Sequence, residues 1–239
     1  MILLAVLALA AAPHSHSAHG SYVAHGKAPT DWTRVASATA AGGFVMGNPA
    51  AKVKLVEYGS LTCPHCRHFD ETAAAPLAAY VRTGRVSWEF RPFLLSGYDI
   101  PATLTASCTG AASFFPMMRA LYAAQPDWVA KMQAIPADRL EAIRKLVPSE
   151  QFASIGTAAG FPAFGVAHGV PAAKISACLR NQAVADKAVK VTADAANKYQ
   201  VHGTPTFMIN GATVDYSAGP SAWAVVETQL KSSLVKVKL

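Results

Sequence analysis

Charge is scarce in this 239-residue chain: Asp, Glu, Lys and Arg together make up 15% of it. The charge that is present leans basic, with a formal net charge of +7 and a pI near 9.3. The bases are scattered, and no stripe of Lys and Arg alternates with aromatic residues. That describes a solvated basic surface and argues against a nucleic-acid partner. Other signatures are missing as well. There is no Gly-rich phosphate loop, no GxSxG, no HExxH and no EF-hand loop, so none of the chemistries those motifs carry is expected. No apolar run is suited to crossing a bilayer. Ile2 to Ala12 is apolar but too short, and it reads as the core of a secretory signal peptide, although no Lys or Arg precedes it. The alternative for that run is an uncleaved apolar anchor. Phe152 to Ala173 is uncharged and longer, but four glycines, two prolines and His168 make it buried helical pieces and turns.

Cysteine is also rare, at four residues. Two of them form Cys63-Pro64-His65-Cys66. A zinc site of this kind normally needs a second such pair, and here the remaining cysteines, Cys108 and Cys178, lie 70 residues apart. Redox chemistry is therefore preferred to zinc. The approach Val53 to Tyr58 is strand-like, and Gly59-Ser60-Leu61-Thr62 is a turn whose last residue suits a helix N-cap. Beyond it, Phe69, Ala73, Leu77 and Tyr80 recur at near-helical spacing. Cys63 is thus expected at the start of a helix, with Cys66 one turn on and on the same face. The helix dipole favours a thiolate at Cys63, making it the nucleophile. Cys66 points inward as the resolving thiol.

Along the chain, His14 to Ala40 is small and polar, without periodicity. Its histidines His14, His16, His19 and His25 read as part of a solvated tail rather than a metal trap. Gly43 to Gly47 and Val53 to Tyr58 are expected strands, Cys63 to Val81 a helix kinked at Pro76, and Val86 to Pro92 a third strand. This is a β-α-β unit with parallel strands. Helices are then expected over 102–109, 111–124, 127–132, 137–146, 150–159, 171–179 and 181–199. Thr206 to Ile209 is a strand, Asn210-Gly211 a hairpin turn, Ala212 to Asp215 its partner, and Ser221 to Leu234 a closing helix. The order fits a split α/β domain.

Glu57-Tyr58-Gly59-Ser60-Leu61-Thr62-Cys63-Pro64-His65-Cys66, together with Gly203-Thr204-Pro205-Thr206-Phe207, resembles the DsbA-like thiol:disulfide oxidoreductases of the thioredoxin superfamily. The resemblance covers Gly43 to the C-terminus. It implies an α/β thioredoxin fold interrupted by a helical insertion, consistent with the 139 residues between Cys66 and Pro205. The expected organisation is a signal peptide over 1–12 and a flexible leader over 13–42. The two halves of the thioredoxin-like domain fall at 43–96 and 193–239, with the helical insertion at 97–192.

By position, Cys63 resembles the attacking cysteine and Cys66 the resolving one, with Pro64 completing the motif and His65 stabilising the thiolate. Pro205 resembles the cis-proline facing the disulfide, and Thr204 offers its backbone to an extended substrate. Glu57 resembles a buried acid that exchanges a proton with Cys66; strand alternation places it on a face with Val53 and Leu55. A second disulfide between Cys108 and Cys178 also fits the resemblance. The implied partners are client proteins with free thiols and a quinone-linked membrane protein that reoxidises the pair. No organic cofactor or metal is implied, and the expected state is a monomer in the periplasm or otherwise exported, where disulfides persist. Thr204 is a departure: the best-known oxidases carry valine there and the isomerases threonine. Too few residues precede the first strand for an isomerase's dimerisation domain, so oxidase stays ahead of isomerase or reductase. A non-catalytic client- or metal-binding thiol module is the remaining alternative.

Overall fold

The computed structural model describes residues 30–217 and 219–237. Its sheet is built outward from β3 (Val53–Gly59). Alternation along this strand buries Val53, Leu55 and Glu57 on one face and turns Val56 and Tyr58 to the other. Next come α1 (Pro64–Arg82) and β4 (Val86–Pro92), which returns parallel to β3 with Val53 opposite Val86 and Gly59 opposite Pro92. This is the expected β-α-β unit. The α1 helix packs on the sheet through Cys66, Phe69, Ala73, Leu77 and Val81, spaced three or four apart.

On the far side of β4, β2 (Phe44–Gly47) pairs antiparallel, and β1 (Ala36–Ala38) pairs with β2. After the helical region, β5 (Thr206–Ile209) lies antiparallel on the other edge of β3 and hairpins into β6 (Ala212–Thr213). Asn210 and Gly211 both take left-handed φ, 51° and 85°, as a two-residue hairpin turn requires. Among the described residues the strand order is β1-β2-β4-β3-β5-β6.

Between β4 and β5 run α2 (Asp99–Ser107), α3 (Ala111–Ala123), α4 (Gln125–Gln133), α5 (Ala137–Arg144), α6 (Pro148–Ala158), α7 (Phe161–Ala167), α8 (Ala172–Cys178) and α9 (Gln182–Tyr199). The helical layer is fused to the sheet rather than hung from it. Phe115 of α3 packs 4.9 Å from Trp88, and Phe114 packs 3.9 Å from Phe44. α9 covers the opposite face of the sheet with small residues: Ala195 joins Val201, Tyr58, Phe93 and Met208 there. α10 (Ala222–Lys236), N-capped by Ser221, packs beside α1.

This is the thioredoxin fold with a helical insertion, as expected. Some boundaries need correction. The flexible leader expected over 13–42 ends sooner: a helical turn, Trp32–Arg34, is capped by the Asp31 carboxylate, and β1 extends the sheet. Three residues are too few to show a period in sequence. The rest of that leader, its four histidines and the expected signal peptide lie outside the described residues. The insertion boundary expected at 192 falls inside α9, which is one unbroken helix. β6 stops at Thr213 rather than Asp215 because the Asp215 carboxylate turns to accept from the Ser217 N–H and hydroxyl.

Cys108, at the C-cap of α2, is bonded to Cys178, the last residue of α8, with Cα atoms 5.4 Å apart. The bridge closes a loop across 70 residues. On chain entropy such a cross-link is worth about 4 kcal/mol. Replacing both residues by serine is expected to cost about 2–4 kcal/mol in urea unfolding and to leave Cys63 alkylation unchanged. A loss below about 0.5 kcal/mol would mean the unfolded chain is not constrained by this link.

Candidate active site

The expectation that Thr62 caps the helix is corrected: Cys63 is the N-cap of α1, with φ −77° and ψ 121°, and Pro64 takes the first helical position. Proline fits there because its missing N–H has no helical partner in any case. Thr62 is unavailable because its hydroxyl and N–H are both given to Asp99. As N-cap, Cys63 places its sulfur at the helix end where amide donors lack partners.

Both active cysteines are reduced thiols. The Cys63 S–H donates to Thr204 O at 3.4 Å. The Cys63 pKa is pulled down to about 5. The largest cause is the hydrogen bond from the Cys66 thiol; the Thr204 hydroxyl and the N–H groups of Cys66 and His65 add to it, against desolvation. The Thr204 hydroxyl is buried beside the sulfur and, among the described residues, meets no partner with full hydrogen-bond geometry, so it acts on Cys63 by proximity. What reaches Cys63 from His65 is the backbone N–H; the imidazole is exposed on the wall of a groove.

Cys66 is fully buried. Burial pushes its thiol well above the usual range, reinforced by its hydrogen bond to Cys63 and by the charge of Glu57. Glu57 is 2% exposed. Burial and the nearby Asp70 carboxylate hold its pKa well above the carboxylate range, while the Trp88 indole N–H, 3.2 Å from Oε2, opposes that rise. Asp70 is itself raised by burial, and Arg119 Nε lies 3.6 Å from its carboxylate. The Arg119 guanidinium also sits 5.8 Å from the Trp88 ring centroid.

The Thr204–Pro205 peptide is cis and closes over the cysteine pair from β5. Beside it runs a groove of about 450 Å³, walled by Phe69, Thr204, Pro205, Tyr216 and Trp223, with His65 and His68 at its rim. The Tyr216 hydroxyl donates to Pro205 O and fixes that wall. Among the described residues, no group of three or more His, Cys, Asp or Glu is placed to hold a metal ion, and no helix is long and apolar enough to cross a membrane.

The structure therefore brings together Cys63, Cys66, His65, Glu57, Thr204 and Pro205. Cys108 and Cys178 belong to the bridge in the helical layer. Sequence reasoning missed Trp88, Asp70, Arg119, Asp99, Tyr122 and Gln125. The available signal was polar residues inside otherwise apolar runs, such as Gln125 after an alanine-rich helix.

The family profile described as "Thioredoxin" matches residues 39–228. The chain belongs to the thioredoxin family. A crystal structure of a protein-disulfide isomerase from Novosphingobium aromaticivorans superposes on it with a TM-score of 0.73 and 31% identity, covering 81% of this chain and 97% of that one. The alpha-DsbA1 of Wolbachia pipientis shares the fold, with a TM-score of 0.62 and 19% identity over 80% of this chain and 90% of its own. A Rickettsia felis protein provisionally named a protein-disulfide oxidoreductase is 26% identical over 82% of this chain. This thioredoxin-family chain spans 63% of the length of that relative.

Two expectations follow for this thioredoxin-family site. Alkylation of the reduced protein against pH is expected to titrate Cys63 near 5, with Cys66 unreactive until far higher pH. The folded pKa lies below its ordinary value, so the thiolate stabilises the reduced form above that value and the effect is lost as pH falls toward 5. A reduced-minus-oxidised stability difference that is flat over this window would contradict the assignment. Glu57 has the opposite sign. Its pKa is raised, so its stability contribution is complete below about 4.5 and is lost as pH rises through the shifted value. Glu57→Gln, which can still accept from Trp88, is expected to remove that alkaline loss in denaturant titrations.

Proposed function

We propose that the chain is an exported oxidase that forms disulfides in client proteins through Cys63 and Cys66. The carrying observation is the Cys63 sulfur at the N-cap of α1, where donors from Cys66, Thr204 and the first helical turn favour its thiolate. The chemistry runs from the disulfide form. A client thiolate attacks Cys63 Sγ, the Cys63–Cys66 bond breaks, and a client–Cys63 mixed disulfide forms. Cys66 leaves as a thiolate in a buried site that disfavours it, so it takes a proton, for which Glu57 is the positioned donor. A second client thiolate then attacks the client sulfur and expels Cys63 as a stable thiolate. Both client protons enter solvent, Glu57 takes one back, and in sum two client thiols become one disulfide while Cys66 gains one proton and solvent keeps one.

The groove beside Thr204–Pro205 suits an extended, partly apolar client segment, with the free edge of the Thr204 backbone as its pairing partner. His65, exposed on the groove wall, is the imidazole a client segment meets on entering the groove. Return to the disulfide form requires an oxidising membrane partner. Periplasmic placement and monomeric action belong to the same reading.

One observation favours a second reading, in which the chain isomerises disulfides. The relative at 31% identity is named a protein-disulfide isomerase, and by the resemblance a threonine before the cis-proline is the isomerase pattern. The two differ in redox equilibrium. An oxidase holds its dithiol form strongly against glutathione, because a stabilised leaving thiolate favours the reduced state. Equilibration with glutathione, read by alkylation and mass, is expected to show that preference. A pair that equilibrates near protein disulfide isomerase, about −180 mV, would instead support an isomerase, and one near thioredoxin, about −270 mV, a reductase. Thr204→Val removes one thiolate donor and is expected to raise the Cys63 pKa and weaken the oxidant by roughly 30 mV, a tenfold change. If neither quantity moves, the hydroxyl plays no part in the exchange.

A further inference from the structure

Four successive residues, Ser60 to Cys63, lead into the redox helix, and each is held by a side chain from the helical insertion. Asp99, in the first turn of α2, is 1% exposed. One of its carboxylate oxygens accepts from Ser60 Oγ at 2.6 Å and Thr62 N at 3.0 Å. The other accepts from Thr62 Oγ1 at 3.0 Å, Leu95 N at 2.9 Å and Ser96 N at 3.1 Å. Tyr122 of α3, also buried, donates its hydroxyl to Ser60 O at 3.2 Å. Gln125 of α4 donates from Nε2 to Leu61 O at 2.7 Å and to Cys63 O at 3.0 Å.

Buried backbone groups need partners, and turns commonly find them locally. Here the partners lie 37 to 64 residues away in sequence and come from three helices. Every group facing Asp99 is a donor. Only a carboxylate accepts all of them; an amide has one acceptor oxygen and would point N–H groups at backbone N–H groups. The site is therefore built for a charged acceptor. Its five donors come from two segments that would otherwise be joined only through β3 and β4.

We propose that Asp99, with Tyr122 and Gln125, positions the nucleophile: the three side chains lock the Ser60–Cys63 turn to the insertion and hold the Cys63 sulfur against Thr204 and the first amides of α1. This deepens the proposed thiol exchange and rests on it. Reacting atoms must be placed to within about 1 Å for efficient transfer, and the turn Ser60–Cys63 is the short span that sets the sulfur's placement. Asp99 touches neither sulfur; it acts through the turn.

The test uses the full chain with Asp99→Asn, Tyr122→Phe and Gln125→Met, and three readouts: Cys63 alkylation against pH, the redox equilibrium with glutathione, and thermal unfolding. Expected for Asp99→Asn is a Cys63 pKa higher by about one unit, a tenfold loss of thiolate preference, with a weaker oxidant to match and an exchange rate down about tenfold. Gln125→Met is expected to move the same readouts in the same direction by less, and Tyr122→Phe least. Variants that melt earlier yet keep the wild-type Cys63 pKa and redox equilibrium would overturn the proposal, leaving the three residues as framework. Variants that all fail to fold would also overturn it, because the contacts would then serve folding rather than placement. Failure of the underlying function is seen separately, in a wild-type Cys63 that titrates near 8.5. The positional claim is then still judged by whether Asp99→Asn changes the alkylation rate at fixed pH.

Discussion

A single negative charge has to live on the Cys63 sulfur, and the neighbourhood is arranged around that demand. The sulfur is nearly dry, so its thiolate survives only because donors converge on it from Cys66, Thr204 and the end of α1. The same charge makes every other ionisation nearby more costly. The protonated forms of Cys66 and Glu57 are both favoured, and burial pushes Tyr122 well above its usual range. Two acids this close cannot both ionise in a poorly screened interior. The site therefore separates one thiolate from a set of neutral proton carriers, the division of roles a thiol exchange needs.

The fold supplies this arrangement from several directions. β3 delivers Glu57 from below and ends at Gly59, where a Cβ would lie 2.4 Å from Phe90 Cε2. Glycine there lets the chain pass close under the aromatic core before turning into Ser60. β5 delivers Thr204 and Pro205 from the opposite edge of β3. The helical insertion closes the third side with Phe115 on Trp88 and Arg119 beside Asp70. The insertion is thus part of the redox site and not an appendage, since Trp88, Asp70 and the Ser60–Cys63 turn all have partners in it.

Much of this was legible in sequence because it depends on short-range pattern. Val86 to Pro92 alternates and forms β4 over those same residues, while Asn210-Gly211 turns the hairpin. The CPHC motif and the later Thr-Pro located both walls of the site. What was not legible depends on distance. Cys63 takes the N-cap because Thr62 is claimed by Asp99, 37 residues on, and no local rule encodes that competition. β1 is three residues of Ala and Ser that are a strand only because β2 offers an edge. α7 was hidden in an apolar stretch where helix and turn residues alternate too quickly to show a period. The pair Asp70 and Arg119 comes from two helices, and only the fold brings them together beside Glu57 and Trp88.

The direction in which such a site works follows from what a low thiol pKa does to each half of the exchange. A thiolate that is easy to form is a good leaving group but a poor attacker, because nucleophilicity falls with pKa, with a Brønsted slope of about 0.4–0.5. Expulsion of Cys63 from a mixed disulfide therefore gains the full benefit of its donors. Attack by Cys63 on a client disulfide gains thiolate fraction but loses intrinsic reactivity, and below pH 7 it gains little more once the thiolate is already formed. Cys66 cannot rescue the reducing direction, since it is buried and protonated beneath its partner. Thr204 adds to this bias from beside the sulfur, where its carbonyl accepts the Cys63 S–H and its hydroxyl lies close by. A hydroxyl beside the sulfur favours its thiolate, and a favoured thiolate weights the exchange toward expulsion of Cys63.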